Sequence, residues 1–140
     1  MSIYNDIRSA LETKLSNIAG IPTVAYENVS FSPTTGTPYI NLRFVPVLRQ
    51  PAVRGLNPQQ LYKGFLNVYC YAPEGNGPRA AEDIAEKVLD AFEATTDISY
   101  TNPQDETIIV SIEYAERGMG VLDSPWYSIP VDIGWYIYAS

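Results

Sequence analysis

The chain contains no histidine, and this absence removes several kinds of catalytic site at once. A Ser–His–Asp triad, a Cys–His pair and an imidazole-ligated metal all need that side chain. The carboxylates of Asp105 and Glu106 are neighbours in the chain, so in a strand they point to opposite faces and in a loop they are solvated. We therefore expect no catalytic residue, no metal ion and no cofactor, and we expect that the protein is not an enzyme.

Cysteine and long apolar runs are also scarce. Cys70 is the single cysteine, so the chain forms no internal disulfide, which fits a reducing compartment. Its place in a strand pattern predicts a small buried apolar residue. The N-terminus is charged and amphipathic, unlike a signal peptide, and no apolar run approaches the roughly 20 residues of a membrane helix. We expect no membrane contact.

Acidic residues are absent from Ser32 to Pro73, although the chain as a whole carries a net charge of −7. This stretch holds four basic residues, Arg43, Arg49, Arg54 and Lys63, whereas residues 74–140 hold three basic and thirteen acidic residues. The pI of about 4.4 argues against general or sequence-specific nucleic-acid binding. A basic part and an acidic part on one subunit are able to meet head to tail; chance clustering on a solvated surface is the alternative.

Two stretches alternate apolar and polar residues with a period of two, which is typical of half-buried strands. They are Tyr39–Leu48 and Leu61–Tyr71, and the segment Arg49–Gln60 between them is rich in Pro and Gly. We expect a long hairpin that projects from the body. Pro46 has no N–H to donate, which predicts an edge position or a bulge there.

Apolar residues recur at helical spacing in two other segments. Helices are predicted for Ser2–Ala19 and from Pro78 to about Ala94, the second with a solvated acidic face that includes Glu82, Glu86 and Asp90. Further strands are predicted at Thr23–Phe31, Ile98–Tyr100, Thr107–Tyr114 and Trp126–Tyr138, with a loop at Ala115–Pro125.

This order of elements predicts one α+β domain over residues 1–140: a mostly antiparallel sheet with two helices packed on one face and a long projecting β-hairpin. The opposite sheet face would carry Arg43, Lys63, Asn67, Tyr69, Tyr136 and Tyr138. A sheet face of tyrosines and basic residues suits a contact surface, although such faces also occur on monomers.

Several motifs in a fixed order resemble the tail terminator family of long-tailed bacteriophages, including its phage-related domains of unknown function. An E-N-x-x-F-x-P element (Glu27, Asn28, Phe31, Pro33) precedes P-Y-I-x-x-R (Pro38, Tyr39, Ile40, Arg43). A strand with alternating Gly64, Leu66, Val68 and Cys70 follows, then a G-x-G turn into the helix of Ala81, Ile84 and Ala85. Cys70 departs from the β-branched residue of that pattern.

The resemblance implies a structural protein that forms a hexameric ring on the tail tube, stops tube growth and presents a surface for head–tail joining. It implies three partners, namely other copies of the chain, the tail tube protein and the head–tail connector or neck proteins. It also implies a place at the tail–neck junction of the virion, after assembly in the host cytoplasm.

From the charge pattern we expect Arg43, Arg49, Arg54 and Lys63 to face an acidic neighbour, with Tyr69, Tyr136 and Tyr138 in the same interface. Glu82, Glu86 and Asp90 are a weaker candidate for the acidic side.

Two other functions stay open at this point. One is a different ring protein of the phage neck or tail, such as a head-completion or tail-tube component. The other is a cytosolic module that binds a small ligand against the sheet. A tube component polymerises into long tubes, whereas a ligand-binding module is stabilised by its ligand.

Overall fold

The computed structural model describes residues 2–52, 55, 59–75 and 77–139. In chain order the elements are α1 (Ile3–Ser16), β1 (Thr23–Ala25), β2 (Tyr39–Pro51), β3 (Gln60–Pro73), α2 (Arg79–Ala91), β4 (Asp97–Thr101), β5 (Thr107–Arg117), β6 (Val121–Asp123) and β7 (Trp126–Ala139). The predicted α+β class with a mostly antiparallel sheet and two helices is confirmed.

The seven strands form one sheet in the order β1-β2-β3-β7-β5-β4, with β6 added beside β7. Among the described strands, β1 runs parallel to its neighbour β2 and the other pairs are antiparallel. The β2–β3 hairpin keeps its pairing out to Pro51 and Gln60, longer than the sequence pattern indicated. Strand β7 accompanies β3 over its whole length and ends with Ala139 opposite Gln60.

Both helices cover the same face of the sheet and bury one stripe each. Helix α1 buries Ile7, Leu11 and Leu15, whose spacing of four places them on one side of the helix. Helix α2 buries Ala81, Ile84, Ala85 and Val88, and it packs on β3, β5 and β7. On this face, the strands bury every second residue against the helices. Strand β3, for example, buries Leu66, Val68, Cys70 and Ala72. Burial raises the pKa of the Cys70 thiol to about 12, so the thiol stays neutral within the core.

Strand β1 is much shorter than predicted, because it ends at Ala25 instead of Phe31. The chain then leaves the sheet, and the Glu27 carboxylate accepts a hydrogen bond from the backbone N–H of Phe44 on β2. The Glu27 side chain thus accepts the hydrogen bond that a longer β1 would have accepted from the outer edge of β2. Among the described residues, no strand pairs with that edge beyond Asn41.

Two β-bulges redirect side chains on the flanking strands. The β2–β3 register shifts between Pro46 and Leu48, which confirms the bulge predicted from Pro46. The β5–β7 register shifts between Ile112 and Tyr114. Because side chains alternate with a period of two, each extra residue moves the following ones to the opposite face.

The face of β3 that meets the helices has a gap in its side chains at Gly64, and Trp135 fills it. A Cβ at Gly64 would collide with the Trp135 ring and with the carbonyl oxygen of Val45. Trp135 is fully buried and stacks on Phe44, with ring centroids 5.2 Å apart. The glycine is therefore required by close packing of the indole between β2 and β3, and not by its backbone angles.

We predict that Gly64→Ala lowers the free energy of unfolding by about 1–3 kcal/mol, because the added methyl overpacks the core. Urea denaturation checks this. Ser99→Ala, on the exposed face of β4, is the control and should stay within about 0.5 kcal/mol of the parent. A Gly64→Ala variant as stable as the control would contradict the packing described here.

A buried polar network joins α1 to the β4–β5 turn. The Asn102 amide donates to Asp6 Oδ2 and to Glu106 Oε1, each at 3.0 Å, and its carbonyl oxygen accepts from the backbone N–H groups of Gln104 and Glu106. Asp6 is 7% exposed and Asn102 is 6% exposed. Asp6 is next to Ile7 of the apolar stripe of α1, and its burial is possible because Asn102 satisfies the carboxylate.

We predict that Asn102→Ala costs about 2–4 kcal/mol of unfolding free energy, since it leaves the Asp6 carboxylate buried without its donor. Thermal and urea unfolding measure the loss. Asn41→Ala on β2, an asparagine with an exposed side chain, serves as the matched control. Equal stability of the two variants would show that the network holds nothing together.

Candidate assembly surface

Within the part of the chain that the structure describes, one face of the sheet has no helix over it, and we call it the open face. It comprises the residues that alternate with the core residues on each strand. Cross-strand pairing orders them in rows, among them Arg43–Asn67–Asp132–Glu116, Val45–Phe65–Gly134–Tyr114 and Leu48–Lys63–Tyr136–Ser111. Large apolar and aromatic groups remain accessible on it, with Phe65 38% exposed and Tyr138 53% exposed.

Most of the residues predicted for an interface lie on this surface. The register places Arg43, Lys63, Tyr69, Tyr136 and Tyr138 on the open face, as the alternation indicated. Tyr136 and Tyr138 contact each other edge to face, with centroids 6.1 Å apart. Lys63 is already engaged within the chain, because its Nζ lies 3.2 Å from Glu113 Oε2.

Arg49 lies on the other side of the sheet. It is six residues from Arg43, so a regular strand would point both side chains to one face. The bulge after Pro46 instead pairs Arg49 with Tyr62 on the helix-covered face. Its guanidinium stacks on the Tyr62 ring at 5.7 Å, and Tyr4 of α1 packs against the same ring. Arg54, the fourth predicted basic residue, lies outside the described residues.

Carboxylates that the sequence pattern did not assign to an interface occupy the β5–β7 side of the open face. Glu116 lies directly opposite Asp132, and Glu113 is the extra residue of the β5 bulge. Burial and then the charges of Asp132, Glu116 and Glu113 raise the pKa of Tyr114. Glu116 was missed because β5 was expected to end at Tyr114; its alternation with Tyr114 was the available signal.

A cluster of aromatic side chains lies at the end of the open face that is near β6. Tyr39 stacks on Tyr71 with centroids 4.6 Å apart, Trp126 packs edge-on against Tyr39, and Phe31 packs against the same ring. Burial raises the pKa of both Tyr39 and Tyr71. The cluster gives this end of the face an aromatic surface, and aromatic side chains are enriched at protein interfaces.

The acidic face of α2 is in contact with solvent, as predicted, but its residues differ in exposure and in ion pairing. Glu82 is paired with Arg117, whose Nη1 lies 3.6 Å from Glu82 Oε1. Glu86 and Asp90 are exposed further along the helix. The acids of α2 and those of the open face therefore form two separate negative surfaces on opposite sides of the sheet.

A groove of about 670 Å³ lies between α1 and the segment that follows β1. Its wall includes Arg8, Glu12, Glu27, Tyr26 and Tyr100. Tyr26 directly follows β1 and Tyr100 lies in β4, and these two strands are at opposite ends of the strand order. The sheet therefore curls around α1 until its edges approach. Burial raises the pKa of Glu12, while Glu27 is held by the N–H of Phe44.

Neither helix in the described part of the chain is long and apolar enough to cross a membrane. Within residues 2–52, 55, 59–75 and 77–139, no three Cys, Asp or Glu side chains are grouped so that they could hold a metal ion.

The fold defines a small α+β protein in which neither described helix covers one face of the sheet. Residues 6–135 match the family model described as phage tail terminator protein. The chain therefore belongs to the phage tail terminator family. It is a structural protein of the phage tail, and the family implies contact with other tail and neck proteins.

Comparison with solved structures shows that the fold described here occurs in another protein. One similar structure superposes with a TM-score of 0.69 at 20% identity, and the match covers 96% of this chain and 94% of the other. At that identity the likeness concerns the fold. No curated protein sequence matches the chain.

The strength of the Lys63–Glu113 ion pair on the open face can be measured. We predict a coupling energy of about 0.2–1 kcal/mol in a double-mutant cycle of Lys63→Ala and Glu113→Ala, shrinking in about 1 M salt. Arg79→Ala on α2, on the other side of the sheet, should show no coupling to Glu113→Ala. Zero coupling for the first pair at low salt would mean that the two charges do not form a pair in solution.

Proposed function

We propose that this protein forms a ring that caps the tail tube, ends tube polymerisation and provides the surface on which the head joins the tail. The family match over residues 6–135 carries the proposal. The ring is hexameric, and its partners are other copies of the chain, the tail tube protein and the head–tail connector or neck proteins. It acts at the tail–neck junction after assembly in the host cytoplasm, by template-directed contact and without catalysis.

The distribution of charge supports a head-to-tail contact between neighbouring subunits. Arg49 lies exposed on the outer strand β2, on the helix-covered side of the sheet. Glu86 and Asp90 lie exposed on α2, which also belongs to that side. Contacts between different surfaces of identical chains close into rings when the rotation allows. We assign Arg49, together with Arg54, to contact the acidic face of α2 in the next subunit.

The open face is assigned to the tube or to the neck proteins. Arg43, Lys63, Tyr69, Tyr136 and Tyr138 lie there together, and tyrosine and arginine are enriched at the centres of interfaces. The aromatic cluster at Tyr39 and Tyr71 extends the same surface.

The oligomer formed by the purified protein tests the ring. We expect closed rings of about six subunits in negative-stain images and a matching mass by light scattering, either alone or after addition of purified tail tubes. Long hollow tubes formed by the protein alone would overturn the proposal in favour of a tube component. Failure to bind or cap tail tubes would overturn it as well.

Charge reversal tests the subunit contact. We predict that Arg49→Glu with Arg54→Glu abolishes ring formation or tail joining, because like charges would then face each other across the contact. Asp90→Arg added to that variant should restore part of it. Arg8→Glu with Lys14→Glu on α1 makes the same change in net charge and should assemble normally. Unchanged assembly of the Arg49/Arg54 variant would refute the assignment, provided that circular dichroism shows it folded.

A further inference from the structure

We propose that Glu27, Pro46 and Pro51 close the outer edge of β2 to strand addition, so that copies of this chain do not pair with one another edge to edge. The outer edge is the side of β2 that faces away from β3, and the part in question runs from Phe44 to Pro51. The proposal concerns the sheet of a single chain and does not depend on the ring.

The first half of this edge is blocked by Glu27 and Pro46. The backbone N–H of Phe44 donates to the Glu27 carboxylate and not to β3, so it points to the outer side. Peptide groups alternate between the two sides of a strand, and the β2–β3 register is regular as far as Pro46. Pro46, two residues after Phe44, therefore lies at the next outer position, where its ring replaces the N–H that a new strand would need.

The second half of the edge is blocked in the same way by Pro51. The N–H of Ala52 donates to the carbonyl oxygen of Gln59, so it points towards β3. By the same alternation, Pro51 and Arg49 lie at outer positions. In this half, Arg49 therefore keeps an outward N–H, and the proline that follows it interrupts any ladder that a new strand would build from there.

Glu27 reaches Phe44 because the chain turns away directly after β1. The N–H of Val29 donates to the carbonyl oxygen of Tyr26 at 3.4 Å, and Asn28 has a φ of 55°, a left-handed conformation that asparagine tolerates. The turn ends β1 and leaves the Glu27 carboxylate beside β2. Because a carboxylate only accepts hydrogen bonds, it satisfies the edge without offering the N–H groups with which a strand would extend the sheet.

Without these residues, the edge would be suited to pairing with a second copy. The side chains of Pro46, Val47, Arg49 and Pro51 are exposed, and an exposed edge strand is a template for pairing with another chain unless proline or charge blocks it. The same edge would meet itself, so the pairing would be antiparallel and two-fold and would close as a dimer. Strand β4, at the other end of the strand order, has 5 residues and is a poorer template.

Opening the edge tests the proposal. In the variant Glu27→Ala/Pro46→Thr/Pro51→Thr, the outer positions regain their N–H groups. Sedimentation velocity should show a species of twice the parent mass, with a dissociation constant at least about tenfold lower than that of any self-association of the parent. Amide hydrogen exchange at Phe44 and Arg49 should slow as the concentration of this variant rises, because both N–H groups then donate across the new contact.

Two further variants separate edge pairing from general instability. Glu93→Ala/Pro33→Thr/Pro103→Thr makes the same changes in charge and proline content at exposed positions away from β2, and it should keep the parent mass. Val47→Lys, added to the opened variant, should remove the new dimer. Val47 lies near the middle of the edge, so two-fold pairing would bring two lysines together.

Three outcomes would overturn the proposal. These are an opened variant that is folded by circular dichroism and keeps the parent mass, a new dimer that Val47→Lys leaves intact, or an equal dimer in the control. If the opened variant is unfolded, Pro46→Thr/Pro51→Thr retains Glu27 and should still dimerise, more weakly; a parent-like mass for that folded variant, or its failure to fold as well, would likewise count against an edge-blocking role. Capping of tail tubes is measured separately and bears only on the proposed ring.

Discussion

The pairing of β3 with β7 is the constraint on which the rest of the structure depends. The two strands pair over fourteen residues each, from Gln60 opposite Ala139 to Pro73 opposite Trp126, without a register shift. On one face of these two strands, Leu66, Val68, Ile133 and Trp135 are fully buried, and α2 packs against both strands. Because a strand alternates with a period of two, the same register fixes which residues must point away from the core. The open face is therefore a consequence of how the core is packed.

The surface charges are distributed unevenly over the helix layer, strand β2 and the open face. The helix layer is acidic on its outer surface, at Glu86 and Asp90, while β2 carries arginines on both of its faces. The open face is divided between Arg43 on β2 and the carboxylates of Asp132 and Glu116. Lys63 and Glu113 neutralise each other across β7. A chain with a net charge of −7 thus presents directional contacts instead of a uniform negative surface.

Local irregularities decide where the interface side chains end up. A bulge in β2 sends Arg49 to the helix-covered side, and a bulge in β5 turns Glu113 towards Lys63. The sequence predicted the first bulge through Pro46, but it did not predict its consequence for Arg49. Glu27 caps the N–H of Phe44 where a longer β1 was expected, and Asn102 holds a carboxylate in the interior. Each case is a polar or backbone interaction between residues distant in the chain, which hydrophobic periodicity does not encode.

The sequence by itself determined the α+β class, the two helices, the long hairpin strands and the tyrosine-bearing sheet face, because these follow from local periodicity and from apolar residues that must be buried. It also carried the motifs that resemble tail terminators, in agreement with the family match. Only the tertiary structure decided that Arg43 and Arg49 lie on opposite faces, that Asp6 is buried and that Glu116 lies opposite Asp132. Those placements depend on strand register, on bulges and on long-range hydrogen bonds, which form only when segments far apart in the chain pack together.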